Sequence, residues 1–316
     1  MSRIRILLLI LALVAVAAIV GPAVSRWWAW QAFVGQDTAH RPTHVDTLGT
    51  LDPLMRESSG LAVSRQHPGV YWTHNDSGDQ PRVYAFDSTG APLRTFEVAG
   101  ARAVDWEDMD AGPCPLVGPQ GPYPRCLYLA DFGDNARGRD TLTVYVVAEP
   151  DLQASPDTLP LLGRVRFRYP DEPHDAELLA VSPVGDLVVV TKGRTRSVFL
   201  YTLPAADLRA ALAADRAVTL APGRTLPIQP DGRIGRMVTG GSFRADGREL
   251  AVRTYTEVYF VPWPLGPPGG EVGRRCVLAR LDGGGEALAY LGPDTLLLTS
   301  EAVGMEPGIL TRVVCP

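Results

Sequence analysis

Residues 57–63, ESSGLAV, decide how the chain reads, because related runs return four more times: DWEDMDA (105–111), DAELLAV (175–181), TGGSFRA (239–245) and GGEALAY (284–290). Each begins with polar or acidic residues and passes into apolar ones. After a turn comes a second apolar run: VYWTHND (70–76), LYLADFGDN (127–135), LVVVTKG (187–193), LAVRTY (250–255) and LLLTSE (296–301). Repetition at such spacing is the signature of an array of like structural units, each too small to bury its own apolar face.

Between these runs lie turn signals such as DSTG, SPVGD and RADG, and the 316-residue chain carries 32 Gly and 28 Pro, more than a helical protein tolerates. From residue 51 onward the sequence therefore predicts one all-β domain of five units, each with up to four short strands. PAADLRAALAADR (204–216) is the exception, an Ala-rich short helix. The fifth unit stops one strand short, and HVDTLGTL near residues 44–51 alternates enough to supply it, uniting the two ends of the chain. Radial repetition of four-stranded sheets is how a β-propeller protects its edges. Five blades are expected, and a sixth would have to be sought in the 136–174 or 204–237 intervals.

Residues 1–30 precede this domain, and 31–50 form a polar tether ending in the closing strand. Arg3 and Arg5 are followed by an uncharged stretch from Ile6 to Val24, about long enough to cross a hydrocarbon core of roughly 30 Å. Arg26, Trp27, Trp28 and Trp30 come next, matching an interfacial aromatic belt. The expectation is one transmembrane helix, with the N-terminus in the cytoplasm and the propeller outside. A cleaved signal peptide is the rival reading, and it exports the same domain. Four cysteines suit that compartment. Cys114 and Cys126 bracket a Pro/Gly loop and form a plausible local disulfide, which leaves Cys276 and Cys315 to pair, although four cysteines permit three connectivities. No CxxC is present, which argues against a zinc or redox site.

The formal net charge of -5, with no basic cluster, argues against nucleic acid as a partner. An acidic surface attracts cations instead. In a propeller the start of each blade's first strand and the end of its second lie on one face, so the polar residues of all five units form one ring. From the starts come Glu57, Asp105, Glu107, Asp175, Glu177, Thr239 and Glu286. From the ends come His74, Asn75, Asp76, Asp131, Asp134, Asn135, Lys192, Arg253, Tyr255 and Glu301.

Carboxylates crowded around a narrow channel must either take up protons or hold a cation, and Ca²⁺ with oxygen ligands is the simplest solution. The candidate metal ligands are Asp131, Asp134, Asn135, Asp175, Glu177 and Glu286. The tightest local cluster is Asp131-Phe-Gly-Asp134-Asn135, though an ordinary Asp/Asn/Gly turn explains those residues equally well. Candidate catalytic groups are Glu57, His74, Asp105, Glu107 and Arg253, and candidate substrate-binding groups are Asn75, Lys192, Tyr255 and Glu301. His74 and His174 sit near acidic strand starts as possible acid–base groups, with a structural role as the plain alternative for each. Trp106 is either a mouth aromatic or a core residue. There is no G-x-S-x-G elbow, HExxH, phosphate-cradling loop or S-x-x-K. Metal-assisted attack by water is the hydrolytic chemistry left.

At these residues the chain resembles a family of exported bacterial propellers, carried by ESSGLAVSRQHPGVYWTHNDSGD, VDWEDMDAG, LYLADFGDNARGR, HDAELLAVSPVGDLVVVTK, VTGGSFRADGRELAVRTY and GEALAY over roughly residues 55–316. That family is similar to phytase-like and TolB-like six-bladed propellers, and more remotely to calcium-dependent lactonases of the gluconolactonase type. The resemblance implies a calcium-capable central site and suggests ester or phosphoester hydrolysis. Two departures bear on substrate. Phytate would need more cations than Lys192, Arg253, Arg137 and Arg194 supply, and the lactonase pattern of one Glu, two Asn and one Asp is only partly matched by Glu57, Asn75, Asn135 and Asp175. The expected function is a metal-dependent ester or phosphoester hydrolase anchored outside the membrane. The alternative is a non-catalytic module that grips a glycan, peptide or envelope protein.

Overall fold

The computed structural model describes residues 41–118, 121–122, 124–232, 235–267, 273–278, 281 and 284–316. The innermost strand of each sheet follows from the repeated runs, and each is short and nearly all buried, polar residues included: Ser58–Val63, Trp106–Gly112, Ala176–Val181, Val238–Phe243 and Gly285–Tyr290. Such strands are covered on both faces, so they show no alternation of buried and exposed residues. In blades one to four three more strands follow outward, each antiparallel to its neighbour, and the sheets of blades one and two gain a fifth strand at their outer edge.

The fifth blade contains Gly285–Tyr290, Thr295–Ser300 and Ile309–Val314, and its outer strand is His44–Thr50 from the far end of the sequence. The chain thus closes its own ring. Ile309–Val314 does not stand as an open edge, the feature that invites edge-to-edge association.

Five apolar clusters separate the five blades. Trp72 and Phe96 of the first blade pack with Trp106, Met109 and Leu129 of the second, for example, and Leu61 and Phe86 of the first pack with Leu297 and Leu310 of the fifth. The inner strands likewise touch in sequence and meet again between the first blade and the fifth, so the number of blades is five. Among the described residues the 136–174 and 204–237 intervals hold no sixth blade. They contain Leu142–Ala148 and Leu161–Arg168 of blade two, the helix Ala205–Ala214, and Arg224–Leu226 of blade three. Two-residue and three-residue strands in the same intervals, Thr158–Leu159 and Ala217–Thr219, reach back to pair parallel with the outer strand of the preceding blade. Each therefore clasps one blade to the next.

The structure corrects one repeat boundary. The fourth inner strand begins at Val238, so the fourth copy is MVTGGSF (237–243), two residues earlier than the pattern places it. Trp106 is a core residue, 1% exposed, with its indole N–H donating to the Arg102 carbonyl at 2.8 Å. Among the described residues no helix is long and apolar enough to cross a membrane, and the 6–24 stretch lies outside them.

Both disulfides form as the spacing suggests, Cys114–Cys126 and Cys276–Cys315. The second links the outer strand of blade four to the last turn of the chain across 39 residues. Replacing Cys276 and Cys315 by serine is expected to lower the unfolding free energy by about 3–5 kcal/mol, read from urea denaturation. A change well under about 1 kcal/mol would mean that burial alone holds the chain end.

Candidate functional site

The site is built from one backbone irregularity repeated five times. In the first hairpin of every blade the register slips at the same place, between Ser58 and Gly60, Trp106 and Asp108, Ala176 and Leu178, Val238 and Gly240, and Gly285 and Leu288. A bulge of this kind leaves a residue without a cross-strand partner and re-aims its side chain. The residues so released are Ser59, Glu107, Glu177, Thr239 and Glu286, the last together with Ala287. All of them are buried. The two hydroxyls tie blade to blade: Ser59 donates to the Glu107 carbonyl, and Thr239 donates to the Glu286 carbonyl at 2.8 Å. The three carboxylates are left for other work.

A second tier comes from the residues flanking the hairpins. Backbone bonds join Asp76 to Glu57 (2.9 Å), Gly133 to Asp105 (3.1 Å) and Lys192 to Asp175 (2.9 Å), so the entries to first strands and the exits of second strands share one face. Carboxylate oxygens of Asp76, Asp105 and Glu107 lie within 4.8 Å of one another, and so do those of Glu107, Asp175 and Glu177. Glu107 belongs to both groups.

Charge distinguishes the two groups. In the second, Lys192 holds Glu177 and Arg194 holds Asp175. Among the described residues no cationic side chain pairs with Asp76, Asp105 or Glu107. Burial, with repulsion from Glu177, Asp76 and Asp105, pushes the Glu107 carboxyl well above the usual range. Asp105 rises to about 6, through burial first and then repulsion from Asp76 and Asp175. Glu177 rises to about 7, burial prevailing over the attraction of Lys192. Burial followed by Glu177 and Glu301 raises Glu286 well above its ordinary value. Glu301 is pushed up to about 6 by burial, Asp76 and Glu57. These couplings run from blade one through blade five and blade three to blade two, so the carboxylates of four blades stand near one another.

A cation suits the unpaired group on its donor chemistry. Ca²⁺ takes oxygen ligands at 2.3–2.6 Å, which puts opposed ligand oxygens about 5 Å apart, and the three carboxylates stand within that span. The second group already has its charge answered by lysine and arginine. Gly133 makes the approach possible, since a Cβ there would lie 2.1 Å from Glu107 Oε1 and 2.5 Å from Asp105 Cγ. Gly133→Ala is expected to leave the fold intact by circular dichroism yet weaken Ca²⁺ binding by about 10-fold or more, the scale on which supporting residues act at metal sites. Unchanged affinity would show that the two carboxylates do not need that space.

Other expected ligands are occupied elsewhere. Asp131 pairs with Arg139 at 2.9 Å and accepts from the Asp105 amide at 3.2 Å. Asp134 accepts from the Gly138 and Arg139 amides at 2.8 and 2.9 Å, as a turn residue does, and Asn135 is exposed and bonded to Arg194. The 131–135 cluster is thus the ordinary turn, not a convergent set of ligands. His74 is fully buried, 5.2 Å from the Trp106 ring, with Nδ1 3.0 Å from the Asn75 carbonyl. Burial holds its pKa down, so it is a neutral structural group and not the expected acid–base residue. Asn75 braces its own blade through Leu54, Asp79 and the Glu57 amide. Arg253, 0% exposed, donates to the carbonyls of Ala287 and Thr299, the latter at 3.0 Å, tying blade four to blade five. His174 is buried against Asp171 and ringed by Tyr169, Phe199 and Tyr201.

Asp76, which the sequence places in the polar ring but not among the candidate ligands, joins the metal-capable group. The available signal was positional: Asp76, Lys192, Tyr255 and Glu301 each directly follow a second strand.

No protein-family model matches the chain, and no curated protein is similar to it. Among solved structures it is similar to the PQQ-bound aldose sugar dehydrogenase of Streptomyces coelicolor, at TM-score 0.49 and 11% identity over 86% of this chain and 98% of that one. It is also similar to a candidate gluconolactonase, at TM-score 0.43 and 15% identity over 87% of this chain and 94% of that one.

The raised carboxyls have a consequence for pH. Asp105, Glu177 and Glu301 have native values above their unfolded ones, so the native state keeps protons that the unfolded chain releases. Without metal, stability is expected to fall as pH rises from about 4.5 to about 7, and Ca²⁺ should remove the decline. Stability that instead rises over that window without calcium would contradict the crowding.

Proposed function

We propose that this chain is an extracytoplasmic propeller, anchored by its N-terminal segment, that holds Ca²⁺ at one mouth and hydrolyses an ester or phosphoester there. The observation that carries this reading is the unpaired group of Asp76, Asp105 and Glu107 beside a carboxyl pair suited to proton transfer. The two disulfides and the apolar 6–24 stretch favour export.

Asp76, Asp105 and Glu107 would hold the ion, which when bound supplies Lewis acidity to a carbonyl or phosphoryl oxygen. Beside it, Glu107 serves as ligand and the buried Glu177 carboxyl is the group that can hold a proton. Glu177, with its value near 7, is poised to take or give a proton at neutral pH. The Lys192 ammonium, held fully charged by Glu177 and its acidic neighbours, offers a cation to developing negative charge. The Tyr255 hydroxyl stays neutral because burial and Glu286 raise its pKa, so it remains a donor.

A panel of lactones, aryl esters and phosphate esters, run with calcium and with chelator, tests the reading. Chelator-sensitive turnover of at least one class, lost in Glu107→Gln, is expected. Calcium binding without turnover of any class would favour the non-catalytic module for a glycan, peptide or envelope protein.

A further inference from the structure

The opposite end of the ring gathers arginines from three blades. A cavity of about 160 Å³ is lined by the last residues of all five inner strands: Val63, Gly112, Val181, Phe243 and Tyr290. The acidic group sits at the first residues of those strands, and six residues of strand span about 17 Å, so the two mouths are well separated. Three guanidinium groups also line the cavity, Arg65, Arg125 and Arg244 from blades one, two and four.

We propose that this end is a binding site for a small organic anion, with a carboxylate or phosphate head seated among Arg65, Arg125 and Arg244. Arg65 is exposed and has no ion-pair partner among the described residues. Arg125 donates to the Ala111 carbonyl, while its Nε is buried without a hydrogen-bond partner. Arg244 is steadied by Asp246 at 3.0 Å and Glu249 at 3.4 Å.

Among the described residues Asp110 is the carboxylate on the wall of this cavity, and it forms no ion pair with the three arginines, whereas Asp246, on the wall of the adjoining cavity, pairs with Arg244. Its oxygens accept from the amides of Val181 and Ala111, each at 2.8 Å. Burial lifts its pKa to about 7, so near neutrality it carries only part of a charge. Guanidinium groups match the planar, two-oxygen face of a carboxylate or phosphate.

An adjoining cavity of about 420 Å³ shares Arg65, Arg244 and Tyr290 and continues past Leu291, Gly292 and Pro293. Its largely apolar wall suits the body of a small molecule whose head lies in the first cavity. The site depends on no residue of the acidic mouth, so it stands or falls apart from the proposed hydrolase.

The test is calorimetric titration of the full-length protein with inorganic phosphate and with acetate. Chelator is present, at about 0.15 M ionic strength, where charges more than about 8 Å apart are screened. Saturable binding of either anion is expected. A tenfold or greater loss is expected in Arg65→Ala, whose side chain makes no contact that folding needs, and no loss in Glu107→Gln. Tighter phosphate marks a phosphate head, and acetate binding as well or better marks a carboxylate. No saturation of either by about 10 mM, beyond the range of a weak millimolar site, would overturn the proposal. So would binding as tight as the parent's in folded Arg65→Ala and Arg65→Glu.

Discussion

Lys192→Met is expected to lower the unfolding free energy at pH 8 by about 3–5 kcal/mol, the cost of stranding a buried charge when its partner is removed. Lys192 is the only lysine in the chain, and it holds Glu177, which is 1% exposed. Methionine keeps much of the stem's bulk, so packing changes little while Glu177 faces Glu107 and Asp175 alone. The orphaned carboxyl escapes by taking a proton. Its pKa then climbs further above the unfolded value, and the deficit should shrink steadily as pH falls from 8 to 5. Urea denaturation at several pH values reads both effects. A loss equal at both ends would place the lysine's contribution in packing instead.

The second large effect is on metal. Glu107→Gln should reduce Ca²⁺ affinity by at least the 10–100-fold that loss of a mere supporting residue costs at metal sites, because Glu107 is the carboxylate common to both acidic groups. The same change removes a buried acid and its repulsions, so the calcium-free variant should be as stable as the parent or more so at neutral pH. Calorimetric titration and thermal melts separate the outcomes. Weaker binding together with a destabilised fold would mean that glutamine disturbs the bulge itself, and asparagine at Asp105 then serves as the second variant.

The repeat in ESSGLAV and its relatives was enough to expect five blades and the closing strand near residue 44, because apolar runs and turn residues record burial directly. It also put Glu57, Asp105, Asp175 and Glu286 on one face. What the repeat does not carry is which polar atoms are already satisfied. Arg253 and Asn75 look like mouth residues in sequence, yet each spends its donors on neighbouring backbone. Asp131 and Asp134 read as ligands, but Arg139 and the 138–139 amides lie within reach only once the turn folds. The bulges are equally silent: nothing in SSG, WED, AEL, VTG or GEA announces that the middle residue will lose its partner, and the two glycines after Thr239 were enough to misplace the fourth copy. The sixth blade of the resembling families fails because the long intervals are consumed by outer strands, two clasps and one helix.

Anomalous diffraction from crystals grown with calcium, and with manganese as its more strongly scattering substitute, addresses the proposed metal centre most directly. One peak is predicted at this mouth, between the side chains of Asp76, Asp105 and Glu107, with oxygen contacts near the 2.3–2.6 Å expected of calcium. Density at the 131–135 turn instead, or none at the mouth while Lys192 and Arg194 keep their partners, would contradict the account.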